Sequence, residues 1–177
     1  LMPGSRPHEI ENLISVISDI IKEVKVKYPD FQFIIPVAPN LSEKEVEKIK
    51  SLCNQHKDVV ILKGQSIHAL IASDIAVIAS GTSALQAAML GVPMVVIYRL
   101  SCLTYYIGRL IVKVRHISLP NIILDESVKD DSGIRIKEFL QNDVKKENIM
   151  KEIDLIINDR KYRNDIILQL KRIRELF

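Results

Sequence analysis

The chain alternates short apolar runs with amphipathic helical stretches, and this order restricts the fold more than any other feature. Residues 8–27 carry apolar side chains at the i, i+3, i+4, i+7 spacing of a helix. Strands are predicted at 31–35, 59–62, 75–79 and 94–98. These runs lack polar alternation, which is typical of strands covered on both faces of a sheet. The pattern predicts an α/β fold, a doubly wound, Rossmann-like parallel sheet with right-handed crossovers.

The predicted helices between the strands have recognisable ends. Ser42 and Glu45 have the spacing of a capping box at the start of the second helix. A short helix is predicted over 66–72, and another over 82–90 that ends at Gly91. From about residue 134 the pattern becomes helical, with helices expected at 134–140, 145–158 and 160–175.

Length and composition favour one sheet domain with an appendage. We expect the domain to span residues 1–141, and the helices of 142–177 to pack on it or on a partner chain or domain. The sequence has no apolar run of the ~18 residues that a membrane span needs. The net charge is +3 and aromatic residues make up 5% of the 177, so neither charge nor base stacking indicates nucleic-acid binding. The two cysteines are too few for a disulfide scaffold and fit a reduced, cytoplasmic protein.

Two loops have the composition of an anion-binding site. In sheets of this class, ligands bind at the carboxyl ends of strands, beside helix N-termini. Gly4-Ser5-Arg6 precedes the first helix, where glycine allows close approach of an anion and arginine adds a planar charged donor. Ser80-Gly81-Thr82-Ser83 lies between a predicted strand and helix. Each loop could equally be an ordinary turn and helix cap. Neither matches GxGxxG or a Walker loop, which disfavours a dehydrogenase or a kinase.

Motifs around these loops extend over nearly the whole chain. They are Leu1-Met2-Pro3-Gly4-Ser5-Arg6 with Glu9-Ile10, Ala79-Ser80-Gly81-Thr82-Ser83-Ala84-Leu85-Gln86-Ala87-Ala88, Pro93-Met94-Val95-Val96, Leu103-Thr104-Tyr105, Ser118-Leu119-Pro120-Asn121-Ile122 and Phe139-Leu140-Gln141. In this order and spacing, the segments closely resemble the carboxyl-terminal half of the lipid-A-disaccharide synthase family.

The resemblance implies one half of a GT-B fold, in which two Rossmann-like domains enclose the active site. It implies a hexosyltransferase of lipid A and lipopolysaccharide biosynthesis. Such an enzyme transfers 2,3-diacylglucosamine from its UDP conjugate to 2,3-diacylglucosamine 1-phosphate and forms a β-1,6 bond. No metal and no cofactor are implied. The catalytic base would belong to a missing N-terminal domain, so we expect no catalytic residue in this chain and no activity from the chain alone.

The resemblance also implies binding residues for the UDP-sugar. Gly4, Ser5 and Arg6 match the loop at the diphosphate, Gly81, Thr82 and Ser83 match a second phosphate loop, and Asn121 and Gln141 match polar positions lining the donor cleft. Gln86 is a departure, because the family usually has a glutamate that can accept both ribose hydroxyls. An amide offers one acceptor oxygen, so we expect weaker ribose binding.

A region rich in cations and tyrosines suggests contact with lipid. Ile75 to Leu124 contains no Asp or Glu. Within it, Tyr105, Tyr106, Arg109 and Lys113 are expected to contact the membrane or acyl chains. A core helix with solvated cations is the alternative. With a lipid substrate, this predicts a cytoplasmic protein, peripheral on the inner face of the inner membrane of a Gram-negative bacterium.

Two other functions remain open from the sequence. One is another UDP-sugar enzyme of GT-B type, such as a UDP-N-acetylglucosamine 2-epimerase, although Ser118-Leu119-Pro120-Asn121 argues against it. The other is a truncated, non-catalytic nucleotide-binding remnant, which the start at Leu1 and the presence of Gln86 favour. The partners expected for the leading interpretation are UDP-diacylglucosamine, the lipid acceptor, a membrane surface and the missing N-terminal domain. A homodimer is left open.

Overall fold

The fold is built on parallel strands alternating with helices. The computed structural model describes residues 1–53, 58–99, 116–127 and 134–177. The strands are β1 (Phe33–Val37), β2 (Val59–Lys63), β3 (Ala76–Ala79), β4 (Met94–Tyr98) and β5 (Lys137–Leu140). β1 pairs with β2, and β3, β4 and β5 pair in that order, all in parallel. This arrangement confirms the predicted Rossmann-like α/β class, as expected of one half of a GT-B fold.

Helices connect and cover the strands. They are α1 (Pro7–Lys27), α2 (Glu43–Cys53), α3 (Ser66–Ile71), α4 (Thr82–Leu90), α5 (Leu119–Ser127), α6 (Lys146–Asn158) and α7 (Arg160–Arg174), with a 3₁₀ turn at Gln141–Asp143. The predicted capping box is present, because the Ser42 N–H donates to Glu45 Oε2 over 2.9 Å. Gly91 ends α4 in the left-handed conformation, with φ of 74°, as its position after the apolar run predicted.

The first two residues join the two sets of strands. The Met2 N–H donates to the Val77 carbonyl over 2.8 Å, and the Ala79 N–H donates to the Met2 carbonyl over 2.8 Å. On the other side, the Leu1 amine donates to the Ile34 carbonyl over 2.7 Å. Leu1 and Met2 therefore lie between β1 and β3, and the strands share one carboxyl edge.

The apolar core lies where the sequence has its longest apolar runs. Every residue of β3 is buried, as is every residue of β4 except its last. On α1, the predicted stripe faces inward, with Ile10, Ile17 and Ile20 fully buried. β2 lies at one edge of the sheet and is only partly covered. The central strands are thus held from both faces, which gives a rigid base to the loops at their carboxyl ends.

One predicted helix is wrong. Residues 134–140 were expected to be helical, but 137–140 form β5, which pairs Lys137 with Val95 and Phe139 with Ile97. The run from Ile134 to Lys137 alternates apolar and charged residues, which is the period of a strand. Pairing with β4 outweighs the helix preference of the charged residues.

The last two helices pack on the rest of the chain. α6 contacts α1, β4 and β5, and α7 contacts α4 and α5. Between α1 and α6, Lys146 Nζ lies 2.9 Å from Glu23 Oε2, and the Tyr28 hydroxyl donates to Asp154 Oδ1 over 2.7 Å. A domain boundary after residue 141 stays a prediction. Among the helices in the described ranges, none has the length and apolar content to cross a membrane.

Candidate nucleotide-binding site

A cavity of about 130 Å³ opens at the carboxyl edge of the sheet. Its lining comes from the loop before α1 (Gly4, Ser5), the end of β1 (Pro36 to Pro39), the turn before α3 (Gly64, Ser66), the end of β3 (Ala79) and the start of α4 (Ser83), together with Met2. Both predicted anion loops therefore border one cavity. This follows from the parallel sheet, since all its carboxyl ends meet at the same edge.

A larger cavity, of about 300 Å³, lies at the opposite edge of the sheet. It is lined by the starts of β1 and β3 and by apolar side chains such as Ile20 and Val24. It contains none of the predicted binding residues. We therefore assign the candidate site to the smaller cavity, where glycines, hydroxyls and helix N-termini converge.

The loop before α1 is organised around a buried carboxylate, Glu9. Its side chain is 5% exposed, whereas that of Arg6 is 67% exposed. The backbone N–H groups of Ser5 and Arg6 donate to Glu9 Oε2 over 3.0 and 3.3 Å. The Arg6 guanidinium donates from Nη1 to Glu9 Oε1 over 2.9 Å. One buried carboxylate thus holds both the backbone and the side chain of the predicted diphosphate loop.

Glycine is required at position 4 by the same carboxylate. The backbone there has φ of +112°, which side chains rarely adopt. A Cβ added at Gly4 would lie 2.4 Å from Glu9 Oε2 and 2.7 Å from Glu9 Cβ. The close approach of an anion that the sequence predicted at Gly4 is made here by a residue of the chain itself.

The loop before α4 presents a different surface. Gly81 precedes the helix with φ of +153°, and no heavy atom lies within 4 Å of the place where its Cβ would be. No side chain makes a capping hydrogen bond at this start of α4. The Ser80 N–H donates to the Ile97 carbonyl over 3.1 Å, which fastens the loop to β4. The first turn of α4, with Thr82 exposed and Ser83 in the cavity lining, can therefore offer N–H groups, hydroxyls and the positive end of the helix dipole to an anion.

Comparison with known proteins shows the family of the chain. The family model described as lipid-A-disaccharide synthetase matches residues 1–176. The chain belongs to this family. Proteins named lipid-A-disaccharide synthase are similar to it: 33% identity in Anaeromyxobacter dehalogenans (strain 2CP-C) and in Geobacter sulfurreducens, and 36% in Nitrosococcus oceani. These matches cover 98%, 99% and 92% of the chain, but only 43%, 43% and 40% of the relatives.

The chain therefore spans less than half the length of these synthases. The predicted resemblance to the carboxyl-terminal half of the lipid-A-disaccharide synthase family is confirmed. The relatives are all named lipid-A-disaccharide synthase, which favours this family over the 2-epimerase type.

The other predicted ligand residues within the described ranges lie outside the cavity lining: Arg6, Gly81 and Thr82, which are neighbours of lining residues, and Gln86, Asn121 and Gln141. Gln86 is half-buried, one turn into α4. Gln141 follows β5 with φ of 48°, and its carbonyl accepts a hydrogen bond from Arg99 Nε over 3.4 Å. Tyr105, Tyr106, Arg109 and Lys113 lie outside the described residues. The structure thus brings Gly4, Ser5 and Ser83 together, and the ligand contacts of the others stay predictions.

Asn121 is fully buried and bonded within the chain. Its Nδ2 donates to the Ile136 carbonyl over 2.7 Å and to Glu138 Oε1 over 2.6 Å, and its Oδ1 accepts from the Ile136 N–H over 3.0 Å. Glu138 also accepts from the Ser118 hydroxyl over 2.6 Å. In this structure, the Ser-Leu-Pro-Asn motif is the start of α5, fastened to β5 by a buried carboxylate.

Sequence reasoning missed several residues of the site. The end of β1, from Pro36 to Pro39, and Ser66 line the cavity. They follow predicted strands, so the rule that ligands bind at carboxyl ends could have found them. Gly64 also lines the cavity, and the sequence did place the segment Lys63-Gly64-Gln65 on the ligand side of the sheet, at the end of a predicted strand. Glu9 was noted only as part of a motif, and its burial was not predicted.

Proposed function

We propose that this chain is the UDP-sugar-binding half of a lipid-A-disaccharide synthase. The observation that carries the proposal is that both glycine-containing loops border one cavity in a member of this family. A diphosphate needs several fixed donors, and the first turn of α4, the Ser83 hydroxyl and the Arg6 guanidinium are of the required kind.

The reaction proposed for the whole enzyme is an inverting glycosyl transfer. The 6-hydroxyl of 2,3-diacylglucosamine 1-phosphate attacks the anomeric carbon of UDP-2,3-diacylglucosamine. The bond from that carbon to the diphosphate oxygen breaks, and its electron pair leaves with UDP. Donors and positive charge fixed beside the diphosphate stabilise the departing UDP, because they interact most strongly with the charge that develops in the transition state.

In the proposed enzyme, another domain removes the proton of the attacking hydroxyl. A base must accept the proton of the attacking hydroxyl. We assign it to the half of the enzyme that the chain does not match in its relatives. The chain alone is then expected to bind the donor nucleotide without transferring the sugar, and the second half is its proposed partner.

The lipid substrates place the proposed enzyme at a membrane surface. Tyr105, Tyr106, Arg109 and Lys113 combine aromatic and cationic side chains, which suits the headgroup region of an anionic bilayer. We propose that this segment contacts the membrane or the acyl chains, on the cytoplasmic face of the inner membrane. A second copy of the chain is a further proposed partner, in a homodimer.

Titration calorimetry with UDP tests the proposed function. The folded chain is expected to give measurable binding heat. Arg6→Ala is expected to weaken UDP binding by about tenfold or more, because a charged donor to the diphosphate is lost. Arg174→Ala, at an exposed arginine on the last turn of α7, is the matched control and is expected to bind like the wild type. A folded wild-type chain that binds no UDP at millimolar concentration contradicts the proposal.

A further inference from the structure

Glu9 makes contacts that an ordinary helix cap does not need. A capping glutamate satisfies backbone N–H groups, and Glu9 Oε2 does so with Ser5 and Arg6. Its second oxygen, Oε1, accepts from Arg6 Nη1 over 2.9 Å. The same carboxylate therefore fixes the main chain of Arg6 and the direction of its guanidinium.

The side chains of Arg6 and Glu9 differ strongly in their exposure to solvent. The Glu9 side chain is 5% exposed, so it is desolvated and its oxygens depend on these donors. The Arg6 side chain is 67% exposed, and an exposed arginine unsupported by a partner samples many rotamers. Among the described residues, Glu9 is the side-chain partner of Arg6.

We propose that Glu9 is a positioning residue, which holds the Arg6 guanidinium ready for the diphosphate. This inference rests on the proposed function. Guanidinium has five N–H donors, and the bond from Nη1 leaves the Nε and Nη2 edge for two parallel bonds to a phosphate. Because the side chain is already held, less conformational entropy is lost when the diphosphate binds.

Gly4 provides an independent observation that the loop is shaped around Glu9. A Cβ at position 4 would meet Glu9 Oε2 at 2.4 Å. The loop therefore takes its conformation with the carboxylate beneath it. Since the Ser5 and Arg6 N–H groups are occupied by Glu9, the proposal assigns diphosphate binding at this loop to the Arg6 side chain and the Ser5 hydroxyl, not to those two amides.

A double-mutant cycle separates positioning from simple capping. UDP affinity is measured by calorimetry for the wild type, Glu9→Gln, Arg6→Ala and the double variant. Glutamine keeps the size of the side chain, but it has one acceptor oxygen where glutamate has two, because its NH₂ group can only donate. We expect Glu9→Gln to weaken UDP binding about fivefold in the wild type, and by less than about twofold when Arg6 is already alanine.

Glu45→Gln is the matched control. Glu45 holds the corresponding position in the capping box of α2, where it accepts from the Ser42 N–H over 2.9 Å. Glu45 lies on α2 and bonds to Ser42, whereas Glu9 bonds to Arg6. UDP affinity of this variant is expected to equal that of the wild type, although α2 loses a similar cap.

Three results would overturn the inference. UDP affinity that is unchanged or tighter in Glu9→Gln removes the positioning role and leaves the proposed function intact. A loss that is equally large in the Arg6→Ala background shows that Glu9 acts on the fold alone. A folded wild type that binds no UDP rejects the proposed function, and the positioning role with it. If Glu9→Gln does not fold, Glu9→Asp replaces it in the cycle, with the same non-additivity expected.

Discussion

At the scale of single residues, buried carboxylates organise the loops of this protein. Glu9 and Glu138 are both almost fully covered, although glutamate is usually exposed. The burial of Glu9 has a local cause, because its partners lie three and four residues before it. That of Glu138 could not be predicted, because its partners, such as Ser118 and Asn121, are distant in sequence and belong to another element.

Gly4→Ala tests how closely the loop fits Glu9. We expect it to lower the free energy of unfolding by about 2–4 kcal/mol, because positive φ and a steric clash with a buried side chain add together. Gly91→Ala is the control, with φ of +74° and no heavy atom within 4 Å of the added Cβ. It should cost only about 1 kcal/mol. Urea unfolding of both variants gives the comparison, and equal losses would refute a fit between the loop and Glu9.

At the scale of elements, the apolar runs at 59–62, 75–79 and 94–98 predicted β2, β3 and β4 with small errors at the ends. Their prediction succeeded because strands buried in a parallel sheet are apolar throughout. The prediction of β5 failed because an edge strand with charged residues resembles a helix in composition. α5 was not predicted, although Ser118 and Pro120 are of the residue types that begin helices, and in the structure its start is also held by Glu138 of β5.

Glu138→Gln tests this dependence of α5 on β5. The carboxylate accepts from the N–H groups of Ile117 and Ser118 over 2.9 and 3.1 Å, so one amide oxygen cannot replace it fully. We expect a loss of about 1–3 kcal/mol in unfolding free energy. Amide hydrogen exchange should accelerate first in α5. Glu175→Gln, at an exposed glutamate, should change stability by less than about 0.5 kcal/mol. Unchanged exchange in α5 would show that the helix start is held by other contacts.

At the scale of the whole molecule, the parallel sheet decides where a ligand can bind. The position of both glycine loops at one cavity followed from the rule for carboxyl ends, and the sequence was sufficient for that step. The sequence did not show which backbone N–H groups of the two loops are available to a ligand. In the structure, Glu9 occupies the amides of the loop before α1, whereas the first turn of α4 has no capping side chain among the described residues.

A crystal structure of the chain with UDP would show where the diphosphate binds. We predict a diphosphate in the cavity between Gly4 and Ser83, with the Arg6 guanidinium and the first turn of α4 within hydrogen-bond distance of its oxygens. Glu9 is predicted to keep its bond to Arg6 in that complex. UDP bound at another part of the surface, or in this cavity with its phosphates away from both loops, would contradict the account.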